Sequence, residues 1–262
     1  MLPPTPYPDA NAIIAVTLAA LREELGPKLV GVAIFGSLMT GAYEPGISDI
    51  DLVAALTGDL NATEGAGLER MHSAIAAAHP EWAERIEVRY LSRATLAAFV
   101  PGLPMGRISP GEPFHLTDAG PDWRFNLAFL RERGVAVWGP EPRELVGEIS
   151  AEEMRDGLRE LMIQWRSWVG EAPHIDQLGY QGYIVLTMCR ALHLARTGRA
   201  AGKLDAAAWT ERELPDLAPL IRDALLWRRR TALGEPLTGD PARTLPAVLA
   251  LVGLVVAEVL MN

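Results

Sequence analysis

Residues 36–53 read GSLMTGAYEPGISDIDLV. Near the end of this stretch Asp49 and Asp51 stand two apart, at the head of the apolar run Ile50–Leu56. Side chains alternate along an extended strand, so both carboxylates share one side while Ile50 and Leu52 face a core. Two carboxylates held about 7 Å apart repel each other unless a cation lies beside them. Magnesium suits that position, because it takes hard oxygen ligands and is usually shared with nucleotide phosphates.

An Asp-x-Asp is a short signal, and what precedes it sharpens it. Gly36-Ser37 closes the run Leu29–Phe35, LVGVAIF, whose β-branched residues are the pattern of a buried strand. Glycine there permits close backbone approach, and serine offers a hydroxyl to a phosphate. The order strand, Gly-Ser, loop, Ser-Asp-x-Asp, strand brings both groups onto one rim. A third acid is then expected from a neighbouring strand. Arg85–Leu91 alternates, with Ile86 and Val88 pointing one way and Glu87 and Arg89 the other, so Glu87 fits. Glu84 is its nearest rival, and the plain alternative is an exposed Glu87 beside Arg85 or Arg89.

Outward from this core, Asn11–Leu25 has helical spacing and residues 62–79 resemble a second helix. Val100–Pro121 is crowded with proline and glycine and reads as a long functional loop or irregular excursion. From Trp123 helical patterns dominate, over Trp123–Arg133, Ala151–Val169, Gln177–Thr197, Asp205–Leu214, Leu217–Leu233 and Leu245–Leu260. The break at Trp138-Gly139-Pro140-Glu141-Pro142 places a domain boundary near residues 140–150.

The chain has 262 residues, 49% apolar and 22% charged, a globular balance with room for one large domain or two modest ones. A net charge of -9 argues against binding nucleic-acid backbones and suits a cationic partner. Cys189 is the single cysteine, so no internal disulfide forms, in keeping with a reducing cytosol. The N-terminus lacks the pattern of a signal peptide. Leu245–Leu260 is apolar but shorter than the roughly 20 residues that cross a bilayer, and it carries Glu258; it reads as a buried bundle helix. A soluble, cytoplasmic protein with no membrane segment is expected.

GSLMTGAYEPGISDIDLV resembles the nucleotidyltransferase superfamily related to DNA polymerase beta, where Gly-Ser is followed, after a short spacer, by Asp-x-Asp on the next strand. YIVLTMCRALHLARTGRAAGKLDAAAW, residues 183–209, looks like the helical domain of the streptomycin/spectinomycin adenylyltransferases. Together these resemblances imply an α+β protein. A polymerase-beta-like nucleotidyltransferase domain, a small mixed sheet with helices, would span residues 1–145, and an α-helical bundle closing over substrate and nucleotide would span 146–262. The implied reaction is magnesium-dependent transfer of AMP from ATP to a hydroxyl of an aminoglycoside or aminocyclitol such as streptomycin or spectinomycin, releasing pyrophosphate.

Roles carry over position by position from the resemblance. Asp49 and Asp51 match the metal-binding aspartates, and Glu87 the acid that serves as general base, metal ligand or both. Gly36, Ser37 and Ser48 match the triphosphate-contacting segment. Lys203 matches a lysine that reaches the ATP phosphates from the second domain; its plain alternative is a solvated loop lysine. Arg190 either supports an anion or pairs with a surface acid. The family's drug-contacting tryptophan and acid fall in stretches that here hold Trp123 and Asp118, and Asp176 or Glu171. ATP and a cationic, aminoglycoside-like molecule are the implied partners, without nucleic acid, and a monomer is favoured over an oligomer.

The remaining groups read plainly. His72, His79, His115, His174 and His193 show no paired metal-ligand spacing, and Trp165, Trp168, Trp209 and Trp227 sit in helical patterns as core. Two alternatives stay open: a nucleotidyltransferase for another small metabolite or a protein side chain, and a non-catalytic nucleotide-binding relative. Three acids on one rim argue against the latter.

Overall fold

The structure, a computed structural model, describes residues 4–109 and 112–261. Its chain groups into two compact units, Met1–Tyr43 with Ser48–Ile149 and Glu44–Ile47 with Ser150–Asn262.

The first unit opens with helix α1 (Pro8–Leu25), strand β1 (Leu29–Ile34) and the short helix α2 (Ser37–Thr40). Strand β2 (Ile50–Leu56), helix α3 (Ala62–Ala78), strand β3 (Ile86–Ser92) and the short helix α4 (Arg93–Ala97) follow. Strands β4 (Pro104–Ser109) and β5 (Glu112–Asp118), helix α5 (Trp123–Arg133), strand β6 (Val135–Trp138) and the short helix α6 (Pro142–Leu145) complete it. The strands form one mixed sheet in the order β5-β4-β3-β2-β1-β6. Only β2 and β3 run parallel; every other neighbouring pair is antiparallel.

Period-2 alternation decides what each face carries. Ile50, Leu52, Ala54 and Leu56 of β2 and Val88 and Tyr90 of β3 pack with Ile13, Ile14 and Leu21 of α1 and Leu68 and Ile75 of α3. On the opposite face Val53, Ala55 and Leu91 pack with Trp123, Leu127 and Leu130 of α5 and Leu145. Asp51 and Glu87 are on this second face, at the strand ends where the apolar cover stops. The parallel β2–β3 connection runs through α3, which starts with a reciprocal cap: Asn61 Oδ1 accepts from the Glu64 N–H at 3.0 Å, and Glu64 Oε2 from the Asn61 N–H at 2.8 Å.

The expectation of an irregular excursion over Val100–Pro121 is overturned. That segment supplies two strands, β4 paired to β3 and β5 on the sheet edge. Its prolines sit where a ladder tolerates them: Pro104 is the first residue of β4, and Pro113 lies on edge strand β5. Gly106 is required by close packing, since a Cβ there would press on Leu60, Phe114 and Tyr90. Strand β6 was likewise not expected; four residues are too few for a periodic signal.

The second unit consists of α7 (Ala151–Trp168), α8 (Leu178–Thr197), α9 (Lys203–Glu213), α10 (Ala218–Ala232) and α11 (Pro241–Met261). Helix α8 is central, buried along Ile184, Val185, Met188, Cys189 and Leu192, and α9, α10 and α11 pack around it. Helix α11 corrects the length argument made above. It runs for 21 residues and is by length and composition able to cross a membrane. Packing describes it better: Val248, Leu251, Val252, Val255, Val256 and Val259 are buried, and Arg196 of α8 grips Glu258 through two bonds of 2.6 and 2.8 Å.

Candidate active site

Two residues past the end of β1, Gly36 caps the start of α2, and its φ of 72° lies in the region that favours glycine. A Cβ there would overlap the Asp51 carboxylate, so glycine is what allows that acid to lie against the turn. The ladder continues across this point, the Phe35 N–H donating to the Asp51 carbonyl at 3.1 Å. Ser37 then opens α2, and its hydroxyl is buried without a hydrogen-bond partner. A buried, unanswered hydroxyl beside an acidic rim is the kind of group a bound phosphate would satisfy.

Ser48 is buried immediately before Asp49, and Asp49 directly precedes β2. Asp51 and Glu87 are register partners across β2 and β3. Asp49, Asp51 and Glu87 each offer one carboxylate oxygen, and these atoms all lie within 4.8 Å of one another. Three hard oxygen donors, two from paired strand positions and one from the residue just ahead of β2, half-open to solvent, fit a magnesium-type cation by donor chemistry and spacing. Glu84, the rival third acid, lies exposed in the turn before β3 and is not a member of this cluster.

Two arginines that the alternation placed beside Glu87 have separate jobs. Arg89 forms the ion pair, its Nη2 donating to Glu87 Oε1. It is only 6% exposed, donates from Nη1 to the Ile108 carbonyl at 2.9 Å, and lies 5.5 Å over the Trp123 ring. Burial pushes its guanidinium below the usual arginine range; Glu87, and more weakly Asp51 and Asp122, oppose that push. Arg85 instead turns to the Ser48 carbonyl. Neither was singled out from sequence, although Arg89 shares one face of β3 with Glu87 and Arg85 directly precedes that strand.

Lys203 belongs to the second unit, where it is the exposed first residue of α9. Arg190 donates from Nε to the Ala201 carbonyl at 3.1 Å, fixing the approach to that helix. Trp123 is buried at 5% exposure and is committed to Arg89 and Phe35, which removes it as an open stacking surface. Asp118, Glu171 and Asp176 are exposed.

Residues 17–100 match the family model described as nucleotidyltransferase domain, and residues 144–240 match that described as aminoglycoside adenylyltransferase, C-terminal domain. Among curated proteins, an aminoglycoside (3'')(9) adenylyltransferase from Shigella flexneri is 25% identical over 241 residues, covering 87% of each chain. One from Klebsiella pneumoniae is 26% identical over 246 residues, covering 86% of this chain and 88% of the relative. Among solved structures, the spectinomycin adenyltransferase AAD(9) of Enterococcus, crystallised with ATP and spectinomycin, superposes with a TM-score of 0.71. That match is 18% identical and covers 95% of this chain and 98% of the other, so it speaks to the fold.

Proposed function

We propose that this chain, matched by the nucleotidyltransferase-domain model and the aminoglycoside adenylyltransferase C-terminal-domain model and similar to aminoglycoside (3'')(9) adenylyltransferases, transfers AMP from ATP to a hydroxyl of an aminoglycoside or aminocyclitol, streptomycin and spectinomycin being the first candidates. Pyrophosphate leaves. The observation that carries this reading is the cluster of Asp49, Asp51 and Glu87 on the rim where Gly36 lies against Asp51.

Asp49 and Asp51 would hold magnesium with Glu87 at its edge. That ion, when bound, neutralises charge growing on the transferred phosphoryl group and on the leaving pyrophosphate. The chain's own groups do the rest. Ser37, with its unpartnered hydroxyl, and the Gly36 turn receive the triphosphate. Lys203 adds positive charge to the phosphates. Glu87 accepts the proton of the acceptor hydroxyl as that oxygen attacks the α-phosphorus, and the bond from that phosphorus to the bridging oxygen of pyrophosphate breaks. Arg89 keeps the Glu87 carboxylate in place through its ion pair. The net charge of -9 suits a polycationic acceptor.

Incubation of the protein with Mg-ATP and each candidate acceptor, followed by mass measurement, tests this directly. Gain of one AMP by an aminoglycoside or aminocyclitol supports the reading. Gain by an unrelated metabolite or by a protein side chain moves the enzyme to another acceptor class, and no gain by any acceptor rejects it.

A further inference from the structure

Asp49 is fixed from both sides by one residue. Arg85 Nη2 donates to the Ser48 carbonyl at 2.7 Å and its Nε reaches the same oxygen at 3.2 Å. The Arg85 carbonyl in turn accepts the Ile50 N–H at 2.8 Å. The residue before Asp49 and the residue after it are therefore both tied to Arg85, one through its side chain and one through its backbone.

The clamp is itself braced. Its guanidinium lies 4.4 Å over the ring of Trp82, which is buried, and Nη1 donates to the Glu81 carbonyl at 3.3 Å. A planar fork can meet a carbonyl, a second carbonyl and an aromatic face at once; a lysine ammonium is a single point charge on a flexible stem. Asp49 needs such a device. It follows a loop that turns at Gly46, φ 79°, and it lies one residue ahead of the regular pairing of β2. The clamp holds the Ser48 side of Asp49 while the β2 ladder holds the other, with the Asp49 carboxylate near Asp51 and Glu87.

Resting on the metal-site reading above, we propose that Arg85 is a positioning residue of the catalytic centre, setting the Asp49 carboxylate through the Ser48 carbonyl. It supplies neither a metal ligand nor a reacting group. An arginine serving only to close the turn would affect stability alone; a positioning arginine also sets how tightly the three carboxylates hold a cation.

The test uses the full chain with a non-hydrolysable ATP analogue and reads free Mn2+ by electron paramagnetic resonance, alongside thermal unfolding. Arg85→Met is expected to weaken Mn2+ binding by about 10- to 100-fold, the range for residues that orient ligands from behind. Arg85→Lys, which keeps the charge near Trp82 but loses the fork, is expected to fall between that variant and wild type. The metal concentration for half-maximal turnover should move with the binding constant, while KM for the acceptor stays unchanged. If Arg85→Met does not fold, Arg85→Lys decides the matter by the same readout. Wild-type Mn2+ affinity in the folded variants overturns the proposal and leaves the metal site standing. A wild-type protein that binds no Mn2+ overturns the metal-site reading and this inference with it.

Discussion

Asp51 and Glu87 face each other as register partners across β2 and β3, the one parallel pair in the sheet. Parallel neighbours carry side chains of the same register on the same face, so this pairing presents two acids side by side, with Asp49 two residues behind. The paired interior strands hold the Asp51 and Glu87 oxygens together against their repulsion, and the Arg89 guanidinium offsets part of it.

Gly36→Ala should separate strain from function when set beside Gly41→Ala. Both glycines have positive φ, 72° and 74°, yet only at Gly36 does a Cβ meet the Asp51 carboxylate. Gly41→Ala is expected to lower stability by about 1 kcal/mol with turnover intact. Gly36→Ala should reduce kcat by about 100-fold or more through displacement of Asp51. Equal kcat in the two variants would remove the steric argument.

Arg89→Met removes the guanidinium that pairs with Glu87 beside Asp49 and Asp51. Turnover should fall by about 10- to 100-fold with KM for ATP little changed. Stability should drop by about 1–3 kcal/mol, less than for a fully buried pair because Glu87 is partly open to water. Steady-state kinetics and denaturant unfolding check the two halves separately.

His72 makes stability depend on pH. Burial pushes its imidazole down to about 4, and it shares a hydrogen bond with the fully buried Tyr90 hydroxyl. In the unfolded chain it takes up a proton near pH 6.5, while the folded form resists until about pH 4. Its contribution is therefore fully present above about pH 6.5 and is lost as pH falls toward 4, roughly 3 kcal/mol in all. His72→Gln keeps a partner for Tyr90 and removes the titration. Unfolding free energies between pH 7 and 4 should fall less steeply for the variant; parallel slopes would refute the assignment.

Leu251 and Leu254 distinguish packing from exposure on α11. Leu251 is 1% exposed and Leu254 is 38% exposed. Leu251→Ala should destabilise by about 2–5 kcal/mol, and Leu254→Ala by no more than about 0.5–1 kcal/mol. Similar, small effects at both positions would mean that α11 is not packed as described.

What was legible in the sequence follows from how local each determinant is. β1 and β2 declare themselves in short apolar runs, and the Glu87 alternation needs only its own strand. The β4–β5 hairpin was hidden because Pro104, Gly106 and Pro113 read as breakers until edge position and close packing are known. Arg89 was passed over for a similar reason: a strand arginine reads as a surface partner. Its burial depends on Ile108 and Trp123, which the hairpin and α5 bring from far along the chain. Arg85 works on a backbone carbonyl, and no residue pattern records that. Lys203 came from the family resemblance, and its role rests there.

Adenylyl transfer at Asp49, Asp51 and Glu87 is best measured as pyrophosphate release from Mg-ATP, for wild type and Asp51→Asn, against streptomycin, spectinomycin and a wider aminoglycoside panel. Wild type should release pyrophosphate only with an acceptor, and a folded Asp51→Asn should lose about three orders of magnitude in rate. Nucleotide binding without release for any acceptor, or wild-type rates in Asp51→Asn, would rule out adenylyl transfer at this site.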